Sequence, residues 1–348
     1  MVKRKSNSTE SFEAVYRRLE EIVLANSGEN EFEEIFKIVL IKLWLDIRKR
    51  DFISTLDEAN HLLMEIDSEW TGVLTENKLN ILEEQFSACF DIVSRYSFAE
   101  DGYAGIDGVF EYLVSREKKG EKGQFFTPRY IVDFCVKILN PKSGENILDP
   151  AAGSGAFLYH AYACGGMQGC DLWGFDFDRR AIRVANLLMH VASVEGFHIH
   201  KVNSLLKNDV RESLLDKGID GISTTIEDIL RIEKKKDLFD IIMTNPPFAG
   251  EIIEPDILGS YNISYGKTRI ERDVLFVERC INFLKPGGRM AIILPDNIFG
   301  GGGRENENLR RWIRKTCRIV GVVGIPRNAF MPHIGVKTSV LFLQKRMQ

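Results

Sequence analysis

The sequence has no run of about 18 or more apolar residues, the length a membrane-crossing helix needs, so no membrane function is expected. Its start, MVKRKSNSTESFEAV, carries basic residues with no apolar stretch behind them, so a secretory leader is not expected and a cytoplasmic protein is. The six cysteines (Cys89, Cys135, Cys164, Cys170, Cys280 and Cys317) form no C-x-x-C pair, which argues against a structural zinc site or a disulfide framework and for free thiols. Repeats are missing, and so are low-complexity tracts apart from Gly300 to Gly303, read as a flexible loop. A phosphate-binding loop is also missing. GSYNISYGKT ends like one, but G-x-x-x-x-G-K-T needs glycine where Tyr261 stands, and no strand leads into it.

What is present divides the chain. Residues 1–119 hold 15 Lys+Arg against 24 Asp+Glu, a net of −9, and the remainder, 31 against 26, nets +5. An acidic front and a mildly basic back fit a front that meets protein and a back that meets a polyanion. The period changes as well. Phe32, Ile35, Phe36, Val39, Leu40, Leu43 and Trp44 recur at helical spacing, whereas from residue 146 short apolar runs (NILD, DLWGFD, LFDIIMT, RMAIILP, IVGVVGI, TSVLFLQK) alternate with helical stretches. The expectation is a helical domain over 1–115 and, over 116–348, an α/β domain with a Rossmann-like doubly wound sheet. PRNAFMPHIGVK is too short for a helical crossover, so the last two runs should form an antiparallel hairpin at the sheet's edge.

NILDPAAGSGAFLYHAYA reads as a strand ending in Asp149, a turn on Gly153 and Gly155, and a helix from about Ala156. A dinucleotide fingerprint would want a third glycine where Leu158 stands, so a pyrophosphate ligand is disfavoured. Asp149 at the turn's mouth repels phosphate and attracts an ammonium group. Asp176, ending the next strand in LWGFDFDRR, stands where ribose hydroxyls are usually accepted, or else is a solvated strand-end carboxylate. A ribose joined to a positively charged amino acid describes S-adenosylmethionine.

GQFFTP (Gly123 to Pro128), DPAAGSGAF (Asp149 to Phe157), GFDFD (Gly174 to Asp178) and NPPF (Asn245 to Phe248), in that order, resemble the amino-methylating DNA methyltransferases. Among these the chain is most similar to the modification subunit of type I restriction-modification systems. The resemblance implies a class I S-adenosylmethionine-dependent methyltransferase fold behind a helical N-terminal domain. It implies N6-methylation of adenine in double-stranded DNA, with a separate specificity subunit and, in the full system, a restriction subunit as partners. By the same resemblance Phe125, Thr127 and Pro128 cover the cofactor's methionine part, although Phe125 and Phe126 also fit a core. Phe177 lies against its adenine or in the core. Asn203 stands where the family usually has an Asp for the adenine amine.

An exocyclic adenine amine is a poor nucleophile because its lone pair is delocalised into the ring. Asn245 offers a side-chain carbonyl and Pro246 a main-chain carbonyl to its N–H bonds, and Pro247 stiffens the turn and removes a competing N–H. Phe248 offers a face on which an extruded base can stack. Lys267, Arg269 and Arg272, in a loop from Ser260 to Asp273 expected to be mobile, either touch phosphate or are solvated charges. No base-reading segment is visible, so either a partner reads the sequence or the chain is a piece of something longer; no nuclease carboxylate cluster is visible either. Two alternatives stay open: a protein glutamine N5-methyltransferase, whose amide poses the same problem, and a scaffold that keeps the fold without the chemistry.

Overall fold

The computed structural model describes residues 11–24, 31–50, 53–96, 106, 108–110, 112–113, 127–165, 170–207, 225–233, 235, 238–248, 250–300, 304–330 and 336–347. The chain divides into two compact units, Met1–Glu121 with Asn186–Ala192, and Lys122–Ala185 with Ser193–Gln348. Gly301 to Gly303 lie outside the described residues, while Gly300 ends a helical turn, Asn297–Gly300. No helix among the described residues is long and apolar enough to cross a membrane.

The first unit contains helices Phe12–Leu24, Glu31–Arg48, Leu56–Glu69 and Glu83–Val93. The residues at helical spacing in the second of these are all buried. Leu56–Glu69 starts where Thr55 accepts from the Glu58 N–H and Glu58 reaches back to the Thr55 N–H, satisfying two of the donors that open a helix.

In the second unit β1 (Asn146–Asp149), β2 (Asp171–Asp176), β3 (Phe197–Lys201) and β4 (Phe239–Thr244) belong to a seven-stranded sheet. After β4 a two-stranded ladder, β5 (Glu251–Ile252) with β6 (Ile270–Glu271), stands apart. Three further strands, β7 (Leu284–Pro295), β8 (Cys317–Gly324) and β9 (Thr338–Lys345), complete the large sheet in the order β3-β2-β1-β4-β7-β9-β8. The first five in that order are parallel, and β9 runs antiparallel to both β7 and β8. The expected hairpin is therefore present, with its later strand placed inside its earlier one. β3 was not among the apolar runs: in FHIHK histidines alternate with Phe197, Ile199 and Lys201, so it does not read as a buried strand.

Candidate active site

From β1 the chain steps outward through β2 to β3 and then returns to lay β4 on the other side of β1. Where strand order reverses in this way, the carboxyl ends of the strands open a crevice that ligands occupy. Asp149 ends β1, Asp176 ends β2, Asn203 follows β3 by two residues, and Asn245 follows β4 directly. Four of the residues singled out in the sequence thus converge on one edge.

The turn after β1 needs its glycines, since Gly153 (φ +53°) and Gly155 (φ +83°) are left-handed. A Cβ on Gly153 would meet no atom of the described residues within 4 Å. The close approach of helix Ala156–Gly165 to the sheet, which a third helix glycine would otherwise allow, comes from the strand side: Leu158 Cδ1 lies 2.9 Å from where a Cβ on Gly174 of β2 would sit.

Asp176 is not a solvated strand end. It is 7% exposed, and its Oδ2 accepts from the Gly153 N–H (2.9 Å) and its Oδ1 from the Asp178 N–H (2.8 Å). It therefore holds the glycine turn in place, and a carboxylate's remaining lone pairs can still accept ribose hydroxyls. Asp149 is 1% exposed and accepts the Ala151 N–H at 3.0 Å. Burial pushes its carboxyl up to about 7, and the like charge of Asp176 adds to the push. An incoming ammonium group would favour the ionised form and so offset what burial costs this acid. Phe177 has no place in the core: it is 65% exposed, with Lys201 Nζ 5.7 Å from its ring centre, and it offers a flat apolar face beside the crevice.

The Asn203 turn is braced by residues that the motifs did not point to. Asn203 Oδ1 accepts the Leu205 N–H at 3.2 Å and keeps a second lone pair. Arg279, 2% exposed, donates to the carbonyls of Ser204 (2.7 Å) and Leu206 (3.2 Å) and is held by both oxygens of Glu227 at 2.5 and 2.8 Å. A buried guanidinium needs such a fork of acceptors.

At the end of β4, Asn245 Nδ2 donates to Thr127 Oγ1 at 3.0 Å, and its Oδ1 is buried with no hydrogen-bond partner among the described residues. Pro246 is buried, Pro247 and Phe248 half-buried, and Phe248 meets the buried Phe330 edge-on, with ring centres 6.1 Å apart. Thr127 and Pro128 lead into helix Arg129–Leu139, where the Ile131 and Val132 N–H groups donate to the Pro128 carbonyl. Phe125 lies outside the described residues. His160, from the helix after the glycine turn, ties Arg129–Leu139 down: its Nδ1 is 2.6 Å from Asp133 and its Nε2 is 3.3 Å from Arg129. Arginine can only donate, so Nε2 accepts and Nδ1 carries the proton; burial holds this imidazole below its usual value, in keeping with a neutral ring.

The segment Ser260 to Asp273, expected as a mobile loop, makes several contacts with the rest of its unit. Tyr261, 1% exposed, donates to the Leu205 carbonyl at 2.7 Å, Glu278 accepts the N–H groups of Asn262 and Ile263, and Ile270 pairs within β6. The tyrosine that spoils the phosphate-loop pattern is a core residue. Arg269 stands 3.6 Å from Glu251, both exposed.

Against known proteins, residues 105–348 match the model of the N-6 DNA Methylase family. The StySJI type I restriction enzyme methylase subunit of Salmonella typhimurium is 27% identical over 316 residues, covering 87% of this chain and 58% of that protein. The EcoKI methylase subunit of Escherichia coli is 29% identical over 241 residues, covering 68% of this chain and 44% of that protein. This chain thus spans about half the length of these curated relatives. Among solved structures, a Vibrio vulnificus protein described as a modification subunit of a type I restriction enzyme superposes with a TM-score of 0.68 at 18% identity, over 99% of this chain and 83% of that one. A Listeria monocytogenes protein described as a class I S-adenosylmethionine-dependent methyltransferase gives 0.61 at 17% identity, over 97% and 89%. Such likenesses speak for the fold, while the match over residues 105–348 decides the lineage: the chain belongs to the N-6 DNA Methylase family.

Proposed function

We propose that this chain methylates the N6 amine of an adenine swung out of double-stranded DNA, using S-adenosylmethionine, as the modification subunit of a restriction-modification system whose specificity subunit reads the sequence. The observation that carries this reading is the Asn245 carboxamide, whose nitrogen end is engaged by Thr127 while its buried oxygen has no donor among the described residues. An acceptor held in this way suits an amine N–H, which a flipped adenine supplies and which draws the amine nitrogen toward a tetrahedral, more nucleophilic form. When bound, S-adenosylmethionine supplies an activated methyl group on a sulfonium, so no metal or strong base is required. The chain's own part is placement: Asp149 takes the ammonium, Asp176 the ribose, Phe177 and Asn203 the adenine ring of the cofactor, Thr127 and Pro128 border its methionine end, and Pro246, Pro247 and Phe248 fix and stack the target.

A glutamine amide would meet the same acceptor, but the family match and the stacking face of Phe248 favour a base. A non-catalytic scaffold would not need to bury an unpartnered Asn245 oxygen. The enzyme works in the cytoplasm in this reading, and the acidic first unit is its protein-contacting part. Incubation with labelled S-adenosylmethionine and duplex DNA, with and without a specificity subunit, tests it by sequencing-based mapping of methylated adenines. Label in a release-factor glutamine, or in neither substrate, would overturn the reading. Discrete methylated motifs from this chain alone would overturn the division of labour.

A further inference from the structure

At the outer edge of the sheet, β3 carries His198 and His200, the latter one residue before the strand's carboxyl end. They stand two residues apart and so share one face of the strand. Both converge on Glu233, the residue after helix Ile226–Ile232: His198 Nδ1 lies 3.0 Å from Oε2, and His200 Nε2 lies 3.3 Å from Oε1. One ligand atom from each residue falls within 4.8 Å of the other two. His200 Nε2 is buried and makes no hydrogen bond of proper geometry among the described residues.

The second ring nitrogen of His198 makes the arrangement informative. His198 Nε2 lies 3.2 Å from Asp171 Oδ1, and Asp171 is itself held by Lys235 at 2.9 Å. Both nitrogens of one imidazole therefore face carboxylates, yet a neutral ring has one proton to donate. A cation between His198, His200 and Glu233 resolves this. Asp171 then accepts Nε2–H, which fixes the tautomer, and the Nδ1 lone pair is left to coordinate, the carboxylate–histidine–metal relay by which proteins orient a ligating ring. Trp173 stacks on the His198 ring at 4.0 Å, interplanar angle 13°, and limits its rotation.

We propose that His198, His200 and Glu233 form a binding site for a divalent transition metal of the zinc type, with Asp171 as the positioning carboxylate. Two imidazoles and a carboxylate are a borderline-soft nitrogen and oxygen set, suited to zinc or cobalt and poor for magnesium or calcium. In a tetrahedron with bonds of about 2.0–2.1 Å, ligand atoms stand roughly 3.3–3.4 Å apart; the spacings of 3.0 and 3.3 Å here run to the two different oxygens of Glu233, so coordination through one of them takes a small turn of the carboxylate. The fourth position is left to water, since the three side chains are about a quarter to a third exposed. The site clips the end of helix Ile226–Ile232 to an edge strand that has one neighbour in the sheet.

The test uses the full chain after chelator treatment and dialysis. Cobalt(II) should give the visible absorption of a tetrahedral complex at one ion per chain, zinc should displace it, and zinc should raise the Tm by several degrees. His198→Gln and Glu233→Gln should each abolish the cobalt spectrum, Asp171→Asn should weaken binding by about 10–100-fold, and Cys164→Ser should change nothing. Absence of saturable cobalt or zinc binding by the native chain would overturn the proposal and leave His198 as a hydrogen-bonding ring between two carboxylates. Binding that survives His198→Gln and Glu233→Gln would overturn it too, by placing the metal elsewhere.

Discussion

Glu34 in the helical unit and Asp149 at the end of β1 are buried to the same degree, 2% and 1% exposed, and are treated differently. Glu34 is met by Lys37 at 2.8 Å and by the Asn80 N–H at 2.9 Å, and Lys37 in turn donates to the Lys78 carbonyl. Asp149 has the Thr244 side chain and the Ala151 N–H, but no cation among the described residues: its charged neighbour is another carboxylate. A short walk along the strand ends, Asn245 Oδ1 is buried with no donor among the described residues. Glu34 is thus closed off by its own chain, whereas Asp149 and Asn245 keep room for a partner from outside; Asp176, beside them, is already engaged by the Gly153 and Asp178 N–H groups.

The largest effect should come from removing the acceptor left open. Asn245→Ala should lower methyl transfer by about 10²–10³-fold or more, as loss of one preorganised hydrogen-bonding group does, with cofactor affinity within a few-fold. Calorimetry beside single-turnover rates decides it, and equal losses in both would mean that Asn245 serves the cofactor.

Breaking the closed pair should strike stability instead. Lys37→Met leaves Glu34 buried and unpaired and should cost about 3–5 kcal/mol, read from denaturant unfolding of the full chain, while Lys37→Met with Glu34→Leu should recover most of it. A single variant of normal stability would show that the pair is not buried in solution.

Asp176→Ala should weaken cofactor binding by about 1.5–3 kcal/mol, the worth of a hydrogen bond to a charged group. It should lower the Tm too, because the Gly153 and Asp178 N–H groups lose their acceptor. An unchanged Tm would put the carboxylate back in solvent.

Asp149 sharpens the comparison through pH. Its folded value of about 7 exceeds the ordinary 3.8, so the folded state holds the extra proton between these values, and unliganded stability must fall as pH rises through that window and level off above it. Asp149→Asn should remove that part of the slope, stabilise the unliganded chain above pH 7, and weaken the cofactor by about tenfold or more. Cofactor affinity of the native chain should rise through pH 7, since the ammonium needs the ionised acid. A flat melting profile with pH, identical in the variant, would show Asp149 ionised throughout.

The smallest effect belongs to Thr127→Val, which removes one hydrogen bond worth about 1 kcal/mol. Turnover should fall about fivefold with the cofactor dissociation constant unmoved, and Thr127→Ser should restore it.

The parts of this site that could be read from sequence are those where chemistry restricts the backbone. Gly153 and Gly155 must be glycine for their φ, Pro246 and Pro247 end a strand visibly, and Asp149 and Asp176 fall where strands stop. What could not be read depends on partners distant along the chain. Thr127 touches Asn245 across 118 positions and Arg279 holds Ser204 across 75, and neither spacing leaves a local pattern. In the sequence Phe177 stays between two readings and Tyr261 reads as part of a loop for the same reason, an aromatic residue's exposure being set by the elements folded over it. β3 was hidden because its histidines sit on a strand face where apolar residues are the usual signal.

β9 is the last strand in chain order yet lies between β7 and β8, with pairs such as Ile293↔Val340 on one side and Val323↔Val340 on the other. As the chain leaves the ribosome, β8 therefore has no sheet to join until residues 338–345 have emerged, and β7 is left as an open edge beside the finished β4. A premature stop in this last stretch would cost the sheet an interior strand and strand β8 altogether.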